Sequence, residues 1–131
     1  IKSSAASDVY KRQVMRCIYE SLALKYRYAI EQLSAVTGRA FTTLHVLGGG
    51  TKDRLLCQMT ADCCGLTVKA GPVEATALGN IMIQLKALGL LDSITQGRRL
   101  IAETEVIKTY TPSTQNYAEW NAAYDRFEPL L

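Results

Sequence analysis

A short apolar, β-branched run that ends in three consecutive glycines, Phe41 to Gly50 (FTTLHVLGGG), limits what this chain can fold into more than any other stretch. Phe41 to Leu47 reads as a strand, the glycines as a turn, and the leucine-bearing segment that follows as a helix. Glycines carry no Cβ, so their backbone N–H groups can approach a phosphate closely, and a following helix turns its positive N-terminal end the same way. On these grounds an anion or a nucleotide is possible. The pattern lacks GxxxxGK[ST], so it is not a Walker-type loop, and GGG does not extend to GxGxxG, which argues against a dinucleotide fingerprint.

The flanking segments alternate helix and strand. From Val14 to Thr37 the positions Ile18, Leu22, Tyr26, Ala29, Leu33 and Val36 recur at steps of three and four, which predicts a helix with one buried face, stopped by Gly38. Thr51 is the expected N-cap of the next helix, whose stripe is Leu55, Leu56, Met59 and Cys63 and whose end is Gly65. Leu66 to Lys69 reads as a brief strand, and Gly71-Pro72 breaks the chain. Glu74 to Leu88 reads as a helix with Ala77, Leu78, Ile81, Leu85 and Leu88 inward, while Gly79 inside it suggests close packing. A turn is expected near Gln96 and Gly97, a short helical piece beside it, and extended chain over Val106 to Tyr110. Tyr117, Trp120, Tyr124 and Phe127 give the last helix, Asn116 to Phe127, an aromatic face expected to pack on the sheet body. The alternation predicts an α/β domain with a mixed sheet covered by helices.

Length and composition suit a single ordinary core: 131 residues, 48% hydrophobic, 21% charged. No apolar run approaches the roughly 18–20 residues of a membrane span. The net charge of +3 is small and partly owed to Lys2, Lys11 and Arg12, so charge predicts no nucleic-acid partner. Cys17, Cys57, Cys63 and Cys64 form no CxxC pair, and His45 is the sole histidine, so no metal site is expected and the thiols read as buried and reduced, as in the cytoplasm. His45 reads as a packed strand residue without chemistry. Glu74 and Thr76 read as a helix start rather than an acid–base pair.

In order and spacing, Gly48-Gly49-Gly50, TADCCG (Thr60 to Gly65), GPVEATALGN (Gly71 to Asn80) and SLALKYRYAIEQL (Ser21 to Leu33) resemble the C-terminal domain of the FGGY family of carbohydrate kinases. The resemblance spans about Val14 to Leu131 and implies the C-terminal lobe of an actin-like ATPase (ribonuclease H-like) fold. It implies transfer of the ATP γ-phosphate to a ketose, with Mg²⁺ as cofactor; L-rhamnulose is the expected sugar, and L-fuculose, L-xylulose and ribulose are the alternatives within the family. It places Gly48, Gly49 and Gly50 beside the nucleotide, Gly49 foremost, and Asp53 near the adenosine portion. Asp53 could there accept from a ribose hydroxyl or the adenine amino group; a first-turn aspartate complementing the helix dipole is the other reading. None of Asp53, Asp62, Asp92 or Asp125 matches the family's catalytic base, which is expected, with the sugar-binding residues, in an N-terminal lobe upstream. The chain is then inactive alone. A different class also remains open, a freestanding nucleotide-binding or interaction module.

Residues 3–13, SSAASDVYKRQ, resemble the translation of a transposon sequencing adapter. Residues 1–13 are therefore expected to be a non-native leader that packs little, with residues 14–131 forming the domain fragment.

Overall fold

The computed structural model describes the backbone of residues 2–131 and side-chain surroundings from residue 7 onward. In chain order it contains α1 (Lys2–Thr37), β1 (Thr43–Val46), a 3-10 turn (Gly49–Lys52), α2 (Arg54–Cys64), β2 (Thr67–Ala70), α3 (Ala75–Ala87), α4 (Ile94–Thr104), β3 (Lys108–Tyr110), α5 (Tyr117–Phe127) and a closing 3-10 turn (Glu128–Leu130). Strand order is β1-β2-β3. Thr43 to Val46 pair in parallel with Thr67 to Ala70, and β3 runs antiparallel on the other side of β2. The α/β layering and the mixed sheet are those expected.

Alternation along the strands sorts the sheet into two faces. Leu44, Val46, Val68, Ala70 and Tyr110 meet Cys57 and Ala61 of α2 in one core cluster. His45, Lys69 and Thr109, which share a register, lie exposed on the opposite face. Of the helices expected to cover the sheet, α2 packs on it, whereas α1 lies mainly on α2 and α3 packs on α4. Width explains this, since three strands about 4.8 Å apart are spanned by a single helix about 10 Å across.

Helix α1 buries a different face from the predicted one. Ala23 and Leu24 are buried and Tyr28 half-buried, and with Cys63, Met59, Trp120, Ala123, Tyr124 and Phe127 they form the second cluster, so the aromatic face of α5 packs on α1 and α2 and not on the sheet. Arg27 belongs to this buried side. Its guanidinium donates to Glu31 Oε1 at 2.9 Å and Asn121 Oδ1 at 2.8 Å and lies 4.2 Å from the Tyr124 ring centre, while the Tyr124 hydroxyl donates to Glu31 Oε2 at 2.6 Å. A charged residue thus occupies the apolar seam because stacking and hydrogen bonds satisfy it. The predicted stripe, Ile18, Leu22, Tyr26, Leu33 and Val36, is left exposed.

Toward its N-terminus α1 continues through the adapter-like segment. Val9 is 52% and Tyr10 68% exposed, so neither joins a core. The side chains of residues 1–6 lie outside the described set.

Other local corrections have physical causes. The expected turn at Gln96-Gly97 is the interior of α4, because Ser93 Oγ caps that helix by accepting from Gln96 N at 3.1 Å. Gly97 is buried where α4 crosses α3, and a Cβ there would lie 2.4 Å from Met82 Sδ. Within α3 only Leu78, Met82 and Leu85 of the large apolar side chains are half-buried, and Ile81 and Leu88 are exposed. A Cβ on Gly79 would meet nothing within 4 Å, so the close packing expected there is not made by the described residues. Cys57 and Cys63 are buried as expected and Cys64 half-buried, but Cys17 is exposed.

Candidate functional site: the glycine turn at the strand ends

Because β1 and β2 are parallel, their carboxyl ends lie side by side, and each runs into glycine. Gly71 N–H donates to Val46 O at 2.9 Å, and Gly48 N–H donates to Pro72 O at 3.4 Å. The GGG word and the start of the GPVEATALGN word are thereby tied together at one end of the sheet, the end at which open α/β sheets take ligands.

The three glycines differ in why the chain needs them. Gly48 has φ 78° and ψ −158°, a conformation essentially reserved for glycine, so the turn itself demands it. Gly49 has no left-handed φ, and a Cβ there would meet nothing within 4 Å; at Gly50 a Cβ would make only ordinary contact with Val46 Cγ1, at 3.9 Å. The local fold would accept a side chain at both positions. Their N–H groups begin the 3-10 turn and find no backbone acceptor among the described residues. The turn thus leaves two backbone donors without a backbone acceptor among the described residues, and open space at the Cβ position of Gly49.

The turn is braced from within. Thr51 N–H and Asp53 N–H donate to Gly48 O and Gly50 O at 3.1 and 3.2 Å, and the buried Thr51 places its hydroxyl 2.7 Å from Gly48 O. Thr51 is therefore not the N-cap of α2. That position belongs to Asp53, whose Oδ1 accepts from Leu56 N at 3.0 Å. Asp53 Oδ2 accepts from the Tyr19 hydroxyl of α1. The Tyr19 hydroxyl, with the Leu56 N–H second, holds the Asp53 carboxyl below the usual carboxylate range, and the same bond pushes the Tyr19 phenol up. A full negative charge thus already answers the N-terminus of α2. The N-terminus of α2 therefore already has a carboxylate partner, whereas the sequence picture left it open to an incoming anion.

Gly48, Gly49, Gly50 and Asp53 are thus brought together, as their spacing requires. Tyr19 was not legible; it lies one position from the predicted stripe, and nothing in the sequence marks its reach to a residue in another helix. His45 is exposed on the open sheet face beside Lys69. Glu74 holds the N-cap position of α3 without a side-chain capping bond, and Thr76 is exposed, so they form no acid–base pair. The buried Asp62 serves the fold, since its Oδ1 accepts from Gln58 Nε2 and Ser113 N, each at 2.8 Å, fastening the 111–113 segment to α2. Among the described residues no three His, Cys, Asp or Glu side chains form a metal-binding group.

An apolar groove of about 400 Å³ adjoins the turn, running from Gly50 and Leu47 along β1 to Tyr26, Ile30 and Leu33 of α1. Part of the exposed α1 stripe forms its wall, and β1, the sheet edge, forms its floor.

Comparison with known proteins identifies the family. The family model for the FGGY family of carbohydrate kinases, C-terminal domain, matches residues 3–88. The chain is 48% identical over 116 residues to a rhamnulokinase of Bacteroides thetaiotaomicron, covering 88% of the chain and 24% of that protein. It is 42% identical over 115 residues to a rhamnulokinase of Enterobacter sp. (strain 638), covering 87% and 24%. It is 43% identical over 101 residues to a rhamnulokinase of Klebsiella pneumoniae subsp. pneumoniae, covering 77% and 21%. The chain thus spans about a quarter of the length of the curated relatives it matches. With the mixed sheet and the glycine turn at its strand ends, these matches show that the chain belongs to the FGGY family of carbohydrate kinases, as part of its C-terminal domain, an actin-like ATPase fold.

Proposed function

We propose that this chain is the ATP-binding part of a sugar kinase that transfers the γ-phosphate of ATP to L-rhamnulose, giving L-rhamnulose 1-phosphate in rhamnose breakdown. The observation that carries the reading is the pair Gly49 and Gly50. Neither is glycine for the sake of the fold, neither N–H has a backbone acceptor among the described residues, and a Cβ would meet nothing within 4 Å at Gly49 and make only ordinary contact at Gly50. Phosphoryl transfer needs mainly positioning and charge stabilisation, and backbone donors of this kind supply both to a triphosphate. The choice of L-rhamnulose rests on the names of the relatives.

Among the described residues no three His, Cys, Asp or Glu side chains gather to hold Mg²⁺. In this reading the metal is held by the nucleotide phosphates and by groups outside the chain. The catalytic base and sugar-binding residues also belong to an N-terminal lobe of the same protein. The apolar groove fits further sequence of the same protein: an edge strand and an apolar helix face side by side are surfaces that a further strand and its side chains cover. One lobe alone would then lack activity. The enzyme would work in the cytoplasm, where ATP is available; among the described residues no helix is long and apolar enough to cross a membrane. The exposure of Val9 and Tyr10 speaks for residues 1–13 being a non-native leader, and the family match from residue 3 speaks against it; the DNA upstream of Val14 decides that point.

The test is ADP release by the full-length protein, with L-rhamnulose, L-fuculose, L-xylulose and ribulose offered in turn. The highest kcat/KM is expected with L-rhamnulose. A clear preference for another of these ketoses replaces the sugar assignment, and no sugar-dependent ADP release with any of them removes the kinase reading.

A further inference from the structure

Tyr19 and Asp53 form a contact that neither the sheet nor the helix caps require. Asp53 would cap α2 through Oδ1 alone, since that oxygen accepts from Leu56 N at 3.0 Å. Its second oxygen is nevertheless held by a hydroxyl from α1, across 34 residues of chain. The bond lies three residues past Gly50, at the outlet of the glycine turn, and both partners are only half-buried.

Resting on the nucleotide reading above, we propose that Tyr19 is a positioning residue for the nucleotide, fixing the plane of the Asp53 carboxylate so that it accepts a hydrogen bond from a nucleoside donor group. A carboxylate accepts and does not donate, and its charge repels phosphate, so the group it meets must carry N–H or O–H. Two bonds fix its orientation, one to each oxygen, and each oxygen keeps an unused lone-pair direction. Asp53 closes the 3-10 turn, its N–H donating to Gly50 O at 3.2 Å, so its carboxylate stands one turn beyond the Gly49 and Gly50 amides. That separation suits a phosphate at the amides and a nucleoside at the carboxylate. The donor is a ribose hydroxyl or the exocyclic amino group of adenine, which share this chemistry. Without the Tyr19 hydroxyl the carboxylate keeps only its bond from Leu56 N, and its second oxygen is no longer held in one plane.

The experiment uses full-length kinase with Tyr19→Phe, Asp53→Asn, the double variant and Gly49→Val, measuring KM and kcat with ATP, 2′-deoxyATP, 3′-deoxyATP and inosine triphosphate. Tyr19→Phe is expected to raise KM for ATP about three- to tenfold, the worth of one hydrogen bond, with the sugar KM unchanged. The preference for ATP over the analogue lacking the donor should shrink by a similar factor; a deoxy analogue identifies the ribose and inosine triphosphate the amino group. In the Asp53→Asn background Tyr19→Phe should add less than about twofold, because its partner charge is gone. An ATP KM within about twofold of wild type in Tyr19→Phe overturns the proposal, as does an equal penalty in both backgrounds or a lowered melting temperature as the sole effect. Gly49→Val separates the two ideas: if it raises the ATP KM while Tyr19→Phe does not, the site stands and the role of Tyr19 falls. If neither variant changes it, the site itself is misplaced.

Discussion

Substituting adjacent glycines should separate the needs of the fold from those of the ligand. Gly48→Ala places a Cβ on a backbone at φ 78° and ψ −158°, which costs about 1–3 kcal/mol of stability. Gly49→Val adds its methyls in open space on an ordinary backbone, so the change in stability should stay within about 1 kcal/mol and can take either sign. Nucleotide binding should show the reverse order. The valine methyls introduced by Gly49→Val would stand where the phosphates approach, forfeiting one or two bonds to a charged acceptor at about 1.5–3 kcal/mol, or roughly ten- to hundredfold in the ATP KM. Denaturant unfolding and steady-state kinetics on full-length protein report the two quantities separately. The reasoning is refuted if Gly49→Val unfolds as readily as Gly48→Ala while its ATP KM stays at the wild-type value.

Gly71→Ala should destabilise more than Gly97→Ala, because the added Cβ meets backbone, Val106 O at 2.8 Å with φ 131°, whereas at Gly97 it meets the movable Met82 side chain; equal losses by denaturant unfolding would contradict this. Tyr124→Phe should cost about 1 kcal/mol by removing the bond to Glu31 between α5 and α1, and no change in the unfolding midpoint would show that bond to be idle. Asp53 titrates below its ordinary value in the fold, so the stability that Tyr19 lends it is complete at neutral pH and fades as pH falls below about 4. The melting-temperature gap between wild type and Tyr19→Phe should therefore narrow on acidification, and a gap that widens would reverse the sign of the argument. Native thiol labelling should modify Cys17 first and Cys63 last, since hydrogen bonding to Cys64 and burial push the Cys63 thiol up; early labelling of Cys63 would deny its burial.

The parts of this fold that were legible in sequence are those in which local chemistry decides. The glycine turn after β1, Gly65 in the left-handed conformation at the end of α2, and the aromatic spacing of α5 all follow from short-range rules. The failures lie where tertiary context chooses between local options. Helix α1 carries two faces capable of burial, and the apolar stripe gave way to the one built around Ala23, Leu24 and Arg27, because a stacked, hydrogen-bonded guanidinium reads as polar in sequence. Gly97 looked like a turn because glycine usually marks one, but here it permits two helices to cross closely. At the site, Gly49 and Asp53 were marked by their place in a motif. Tyr19 was invisible because its partner is 34 residues away, and no periodicity links them.

The most direct test of the central claim is a structure of the full-length protein with a non-hydrolysable ATP analogue and the ketose. The account predicts phosphate oxygens about 2.7–3.2 Å from the backbone nitrogen of Gly49 or Gly50, with the nucleotide between the glycine turn and a second lobe. A nucleotide bound elsewhere, with those two amides facing only water, would contradict it.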